Sequence, residues 1–141
     1  MGWREHADAV LRGAGYKAGG ARATVIDALA REECCLTVPA IHARVRRRRP
    51  GVGIASVYRA LETLVELGLV HRLELGTGGA RYEPAAPNDH HHHLVCEDCG
   101  RIEAFRDDHL ERVIASVSKT ASFRVDEHDV VLRGLCQSCG A

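Results

Sequence analysis

Residues 90–99 read His-His-His-His-Leu-Val-Cys-Glu-Asp-Cys, four imidazoles running straight into a Cys-x-x-Cys knuckle. A second knuckle, Cys136-x-x-Cys139, follows much later in the chain. Two such pairs make a complete tetrahedral thiolate set, the commonest closed form of a structural zinc site. Coordination by Cys96, Cys99, Cys136 and Cys139 forces the intervening chain to return to its starting point, and it reinforces a module too small to be secure alone. Four protein ligands leave no open position, so the expected role is structural rather than catalytic. The histidines cannot all serve one ion if they lie on a strand. Successive strand side chains alternate, which sends His90 and His92 one way and His91 and His93 the other. The expectation is two further sites, back to back across a strand.

The His run is internal and feeds into a strand-like segment, unlike a purification tag. Other imidazoles and carboxylates occur at positions able to contribute: Glu83, Glu111, His128 and, at the start of a hairpin, His71. Mixed imidazole and carboxylate donors suit zinc, ferrous iron, manganese or nickel, so donor type does not choose the metal. Cys34 and Cys35 lack a Cys-x-x-Cys partner and read as buried, inert thiols, with Cys35 an outside candidate for a ligand.

A chain of 141 residues makes one or two small domains with modest cores. No apolar run has the length of a membrane span and no export signal opens the chain, so the expected location is the reducing cytoplasm, where six cysteines read as thiols and metal ligands. Charge is zero overall but unevenly placed. Residues 1–83 carry 13 Lys/Arg against 9 Asp/Glu, and residues 84–141 carry 6 against 10. A basic first half suits a polyanion and an acidic second half suits cations.

Helical spacing of Ala7, Val10, Leu11 and Ala14 predicts a first helix over Trp3–Ala14, stopped by Gly13 and Gly15. A second covers Arg22–Glu33, and a third, carrying Val38, Ile41 and Val45, ends in Arg46–Arg49 before Pro50. The fourth, about Ala55–Leu67, buries Val57, Leu61, Leu64 and Val65 and stops at Gly68. Val70–Leu75 and Ala80–Glu83 then form a hairpin across Gly76-Thr77-Gly78-Gly79. Short helices followed by a hairpin make a winged helix-turn-helix with the fourth helix placed for recognition. Its free face carries Ser56, Tyr58, Arg59 and Thr63, and an Arg there can read guanine through two parallel hydrogen bonds. Pro84–Asp89 is the expected linker between a domain over 1–83 and another over 90–141. The second is predicted as a small α/β module: strands at Leu94–Cys96 and Arg101–Phe105, a helix with Leu110, Val113, Ile114 and Val117 on one face, and a last strand at Phe123–Leu132 that holds His128.

Ser56-Val57-Tyr58-Arg59-Ala60-Leu61, the run from His90 to Gly100, and the spaced Glu111, His128, Cys136 and Cys139 together resemble the ferric uptake regulator family of bacterial metal-dependent transcriptional repressors. The resemblance spans nearly the whole chain. It implies an α+β architecture, an N-terminal winged helix followed by a C-terminal α/β dimerisation domain with a four-cysteine zinc site. It also implies a cytoplasmic homodimer on a double-stranded DNA operator, with an inverted repeat, and no membrane partner. Carried onto this chain, it assigns Cys96, Cys99, Cys136 and Cys139 to structural zinc, and His90, His92, Glu111 and His128 to a second site in the dimerisation domain. Glu83, His91 and His93 fall to a sensor site at the hinge, with His71 a further candidate ligand. Tyr58 and Arg59 match the base-contacting pair, while Lys17 and Arg22 match basic positions near the first helix turn.

Zinc-responsive members usually carry Cys where this chain has Glu83, and peroxide-sensing members favour Asp there. His92, where many iron regulators have Asp, leans to a zinc uptake regulator-like branch. A Thr-Pro-Gln-Arg cue of the family appears here as Gly19-Gly20-Ala21-Arg22. The reading is therefore a metal-responsive repressor of metal-homeostasis genes, with no catalytic residues. Zn2+ is favoured at the regulatory site, with an Fe2+, Mn2+ or Ni2+ sensor of the same family as the alternative. A zinc-dependent hydrolase and a zinc module without DNA activity are the remoter alternatives.

Overall fold

The structure, a computed structural model, describes residues 2–141 except Glu32, Glu33, Thr77, Pro87 and Asn88. The expected end of the second helix at Glu33, the middle of the hairpin turn at Thr77, and Pro87-Asn88 of the linker lie outside the described residues. The chain divides into two compact units, Met1–Asp89 and His90–Ala141.

In the first unit the order is α1 (Trp3–Gly13), α2 (Gly20–Ala30), β1 (Leu36–Thr37), α3 (Val38–Arg48), α4 (Ile54–Glu66), β2 (Val70–Leu73) and β3 (Arg81–Pro84). Local chemistry sets the boundaries. The Thr37 hydroxyl accepts from the Ala40 N–H at 3.3 Å and Pro39 sits in the first turn, where its missing N–H costs nothing. Three arginines, Arg46 to Arg48, occupy the last turn, beside the negative end of the helix dipole. After α4, Gly68 takes a φ of 70°. That left-handed turn lets Leu69 N–H reach Leu64 O at 2.9 Å and closes the helix end. Trp3 then donates its indole N–H to Leu69 O at 2.8 Å, fixing α1 against the same corner.

The core joins Val25, Ile26 and Leu29 of α2, Ile41 and Val45 of α3, and Val57, Leu61 and Leu64 of α4, all essentially without solvent contact. Val65, expected in the buried stripe, lies at its edge and Ala60 takes the inner place. β1 was not anticipated: two residues carry no periodicity. It pairs antiparallel with β3, Leu36 opposite Tyr82, giving a sheet in the order β1-β3-β2. Helices followed by this antiparallel wing constitute a winged helix.

The second unit is built on β4 (His92–Cys96), flanked by β5 (Ile102–Phe105) antiparallel and β6 (Val131–Gly134) parallel, in the order β5-β4-β6. α5 (Asp108–Thr120) is capped by Asp107, whose carboxylate accepts from Leu110 N–H at 2.9 Å, and α6 (Gln137–Gly140) closes the chain. The long strand expected over Phe123–Leu132 is corrected to β6 alone. Residues 123–130 have alternating apolar side chains but no ladder within the chain, and Phe123 stands 70% exposed. The stripe on α5 is likewise amphipathic without being covered: Val113 and Val117 are exposed. Among the described residues of this unit the buried apolar side chains are Val95 and Cys96, joined by buried His92 and His93. So small a core does not hold a sheet and helix together unaided. No described helix is long and apolar enough to cross a membrane.

Leu61 is fixed between helices in the larger core. Leu61→Ala is expected to cost about 2–5 kcal/mol, read as a lower urea midpoint for the N-terminal transition at unchanged slope. A change under about 0.5 kcal/mol would mean the helices do not close on this side chain.

Candidate metal centres and DNA-reading helix

Cys96 ends β4, Cys99 follows in the turn, Cys136 caps α6 and Cys139 lies within it. Each knuckle is a tight backbone turn. Gly100, at φ 77°, returns its N–H to Cys96 O at 3.0 Å, and Gly140 N–H reaches Cys136 O at 2.8 Å. The four sulfurs lie within 4.8 Å of one another, and Cys99 Sγ stands 3.8 Å from Cys136 Sγ. A tetrahedral zinc ion with bonds of about 2.3 Å needs its sulfurs roughly 3.8 Å apart, so this set fits it. Electrostatics point the same way. Backbone N–H groups of Cys136 and Cys99 bring the Cys96 thiol down to about 6, and the Cys136 N–H lies 3.3 Å from Cys96 Sγ. The Cys136 thiol, then burial, push Cys139 up to about 12. Crowded thiols cannot all ionise unless a cation shares their charge, and proton release accompanies metal binding.

Metal removal should therefore unfold the C-terminal unit selectively. A strong chelator is expected to open residues 90–141 to protease while the N-terminal unit stays resistant, and faster below a pH of about 6, where the Cys96 thiolate protonates and competes with the metal. Equal protection with and without chelator would remove the structural role.

The even histidines gather on one side of the second unit. His90 and His92 rings are 4.7 Å apart, and His90 Nε2 is 3.0 Å from His128 Nε2. Glu111, in the first turn of α5, receives His92 Nε2 at 2.5 Å on one oxygen and His128 Nε2 at 2.7 Å on the other. These contacts, the one with His92 foremost, hold its carboxyl below the usual range despite partial burial. Val130 N–H donates to His92 Nδ1 at 3.2 Å and fixes the ring, leaving Nε2 aimed at Glu111. All four ligand atoms lie within 4.8 Å, a donor set of three imidazoles and one carboxylate that fits a borderline divalent ion. His128 lies in the extended segment before β6 rather than mid-strand as expected.

The odd histidines form their own pair, His91 and His93, with rings 4.9 Å apart and nitrogens within 4.8 Å. In the first unit Glu83 is 6% exposed, an expensive place for a carboxylate that lacks a cation. His71 is its register partner across β2 and β3 but is exposed. The residue whose ligand atom clusters with the Glu83 carboxylate, within 4.8 Å, is Cys34. Sequence reasoning passed over Cys34 because it lies beyond the periodic part of α2 with no motif spacing. Cys35, the sequence candidate, is buried, and the Cys34 thiol together with burial holds its own thiol protonated, far above the ordinary range.

On α4, Tyr58 and Arg59 are exposed and Ser56 half-buried. Arg59 donates to Ser56 Oγ at 3.0 Å, which steadies the guanidinium on the open face. Lys17, Gly19, Arg22, Ser56, Arg59 and Thr63 line a single recess of about 550 Å³, so the basic positions near α2 and the face of α4 share one concave surface. Arg22 is held there by stacking on Tyr16, 4.5 Å from the ring centroid. Part of the Arg46–Arg49 run is committed elsewhere: Arg48 pairs with Asp27 at 3.3 Å.

A winged helix with cations around its exposed helix, carried with a unit dense in metal donors, defines a metal-binding, DNA-binding regulator. The model of the ferric uptake regulator family matches residues 13–133. The ferric uptake regulation protein of Bacillus subtilis is 34% identical over 132 residues, covering 92% of this chain and 89% of that one. Its counterpart in Campylobacter jejuni is 32% identical, covering 92% and 83%. The structure of the Helicobacter pylori ferric uptake regulator Fur, described as having three functional metal binding sites, superimposes with a TM-score of 0.87 at 29% identity, covering 99% of this chain and 92% of that one. The chain belongs to the ferric uptake regulator family: it is a metal-responsive transcriptional regulator and not an enzyme.

Proposed function

We propose that this regulator is a homodimeric, zinc-activated repressor of metal-uptake and metal-homeostasis genes, acting in the cytoplasm on a double-stranded operator with an inverted repeat. The observation that supports zinc most is the nitrogen-rich cluster of His90, His92, His128 and Glu111, whose donors suit a borderline ion better than a hard one. Zinc is also assigned to the four-cysteine site. Dimerisation is supported by the uncovered apolar side chains of Val113, Val117, Phe123, Leu132 and Leu135, which a second copy would shield. The second reading is iron sensing, favoured by the names of the Bacillus and Campylobacter relatives.

Glu83, His91 and His93 are assigned to the regulatory ion, with His71 as a further candidate and residues 84–89 as the hinge. A bound cation supplies positive charge that several donors share at once. Glu83 belongs to the wing and the two histidines to the dimerisation unit. Their joint commitment restricts the orientations open to the winged helix and favours those in which both copies of α4 enter successive major grooves. Moving such a balance from 1:99 to 99:1 takes a differential affinity of about 5.5 kcal/mol. Within the groove, Arg59 and Tyr58 contact bases, while Ser56, Lys17 and Arg22 hold the backbone and orient the helix.

His91→Ala and His93→Ala are expected to abolish metal-dependent binding to a duplex selected from a random pool, with dimer mass and thermal unfolding unchanged. Metal dependence equal to wild type in a gel shift would remove both residues from the sensor. Zinc, ferrous iron, manganese and nickel titrated in parallel distinguish the two metal readings by which ion acts at the lowest free concentration. Arg59→Ala is expected to lose about 1–3 kcal/mol of preference for the selected duplex over random DNA, measured by competition anisotropy. Undiminished discrimination would exclude α4 as the reading helix.

A further inference from the structure

Cys34 belongs to no motif, yet its environment is specific. Its sulfur and the carboxylate of Glu83 lie within 4.8 Å inside the N-terminal unit. Cys34 is half-buried and Glu83 is buried. Behind Cys34, the Cys35 sulfur sits 3.6 Å away and itself stands outside the ligand cluster. A carboxylate and a thiol brought together away from water make a poor pair of anions but a good pair of ligands. His71 also faces Glu83 across the ladder, but it is solvent-exposed, whereas Cys34 shares the carboxylate's sheltered side.

We propose that Cys34 is a thiolate ligand of the regulatory ion, supplied with Glu83 by the N-terminal unit, and that it makes this site thiophilic. The inference rests on the reading of Glu83, His91 and His93 as the sensor and adds a donor of a different class to it. With only imidazole and carboxylate donors the set is open to manganese and ferrous iron as readily as to zinc. One thiolate shifts it towards zinc, cadmium and cobalt and away from manganese. On binding, the Cys34 S–H bond breaks, the proton leaves to solvent and the sulfur pair forms the bond to the ion, so affinity falls on acidification. Cys35 keeps its proton and can hydrogen-bond to the coordinated sulfur, the kind of contact that orients a ligand without replacing it.

The test uses the full-length protein with its four-cysteine site filled with zinc, titrated with cobalt(II) as the probe. Wild type is expected to develop a near-ultraviolet sulfur-to-cobalt charge-transfer band with the first added equivalent. Cys34→Ser is expected to lose that band and at least about tenfold in zinc affinity, with manganese affinity little changed, while Cys35→Ser keeps all three. Matching circular dichroism for the two variants excludes a folding defect as the cause. An undiminished band in Cys34→Ser, or an unchanged ratio of zinc to manganese affinity, overturns the thiolate. His91→Ala separates the inference from its foundation. If it abolishes metal-dependent DNA binding while Cys34→Ser leaves the cobalt spectrum intact, the sensor stands and the thiolate falls. A band that needs Cys34 but is indifferent to His91 and His93 overturns the assignment of Cys34 to the regulatory ion.

Discussion

Four sulfurs within 4.8 Å of one another join the end of β4 to the end of the chain, and the C-terminal unit depends on that closure. Its sheet buries almost no apolar side chain beyond Val95, so burial alone leaves it marginal. The bonds to a metal ion supply what the core lacks, and in doing so they hold β4 rigid. Everything functional in this unit is then hung on β4 and the residues just before it. A strand that could slip by one residue would exchange the even and odd histidines, and with them the composition of both ligand sets.

The pleat of the chain converts a low-information run of four identical residues into two chemically distinct sets. His90 and His92 meet Glu111 from α5 and His128 from the segment before β6, whereas His91 and His93 pair with each other. The same economy appears in the winged helix. Apolar residues on one side of α4 build the core and leave Tyr58 and Arg59 outside, where Ser56 steadies the guanidinium and Lys17 and Arg22 extend the basic surface. Packing and recognition thus share one helix, and a change on the inner face of α4 would move the outer one.

The helices were legible because their apolar spacing is regular and their ends carry Thr37, Gly68 and Asp107, residues whose chemistry stops or starts a helix. The thiolate set and the division of the histidines were legible for a similar reason: both follow from spacing alone. What spacing does not encode was missed. β1 is too short to have a period, and the alternation through Phe123 and Val125 imitates a strand that finds no ladder in the chain. The stripe on α5 looks like a core face, yet Val113 and Val117 remain uncovered. Cys34 was misjudged because its neighbour Glu83 is brought to it only by the pairing of β1 with β3, nearly fifty positions later in the chain.

The central claim is that the regulatory ion, and not the protein alone, confers the DNA-binding pose. The most direct measurement is the affinity of one selected duplex for wild-type protein stripped of weakly held metal by a mild chelator, its four-cysteine site intact, and then reloaded with zinc. Anisotropy should show the grip lost on stripping, by more than about tenfold, and regained on reloading. Stripped protein that binds the duplex as tightly as the reloaded sample would contradict the account.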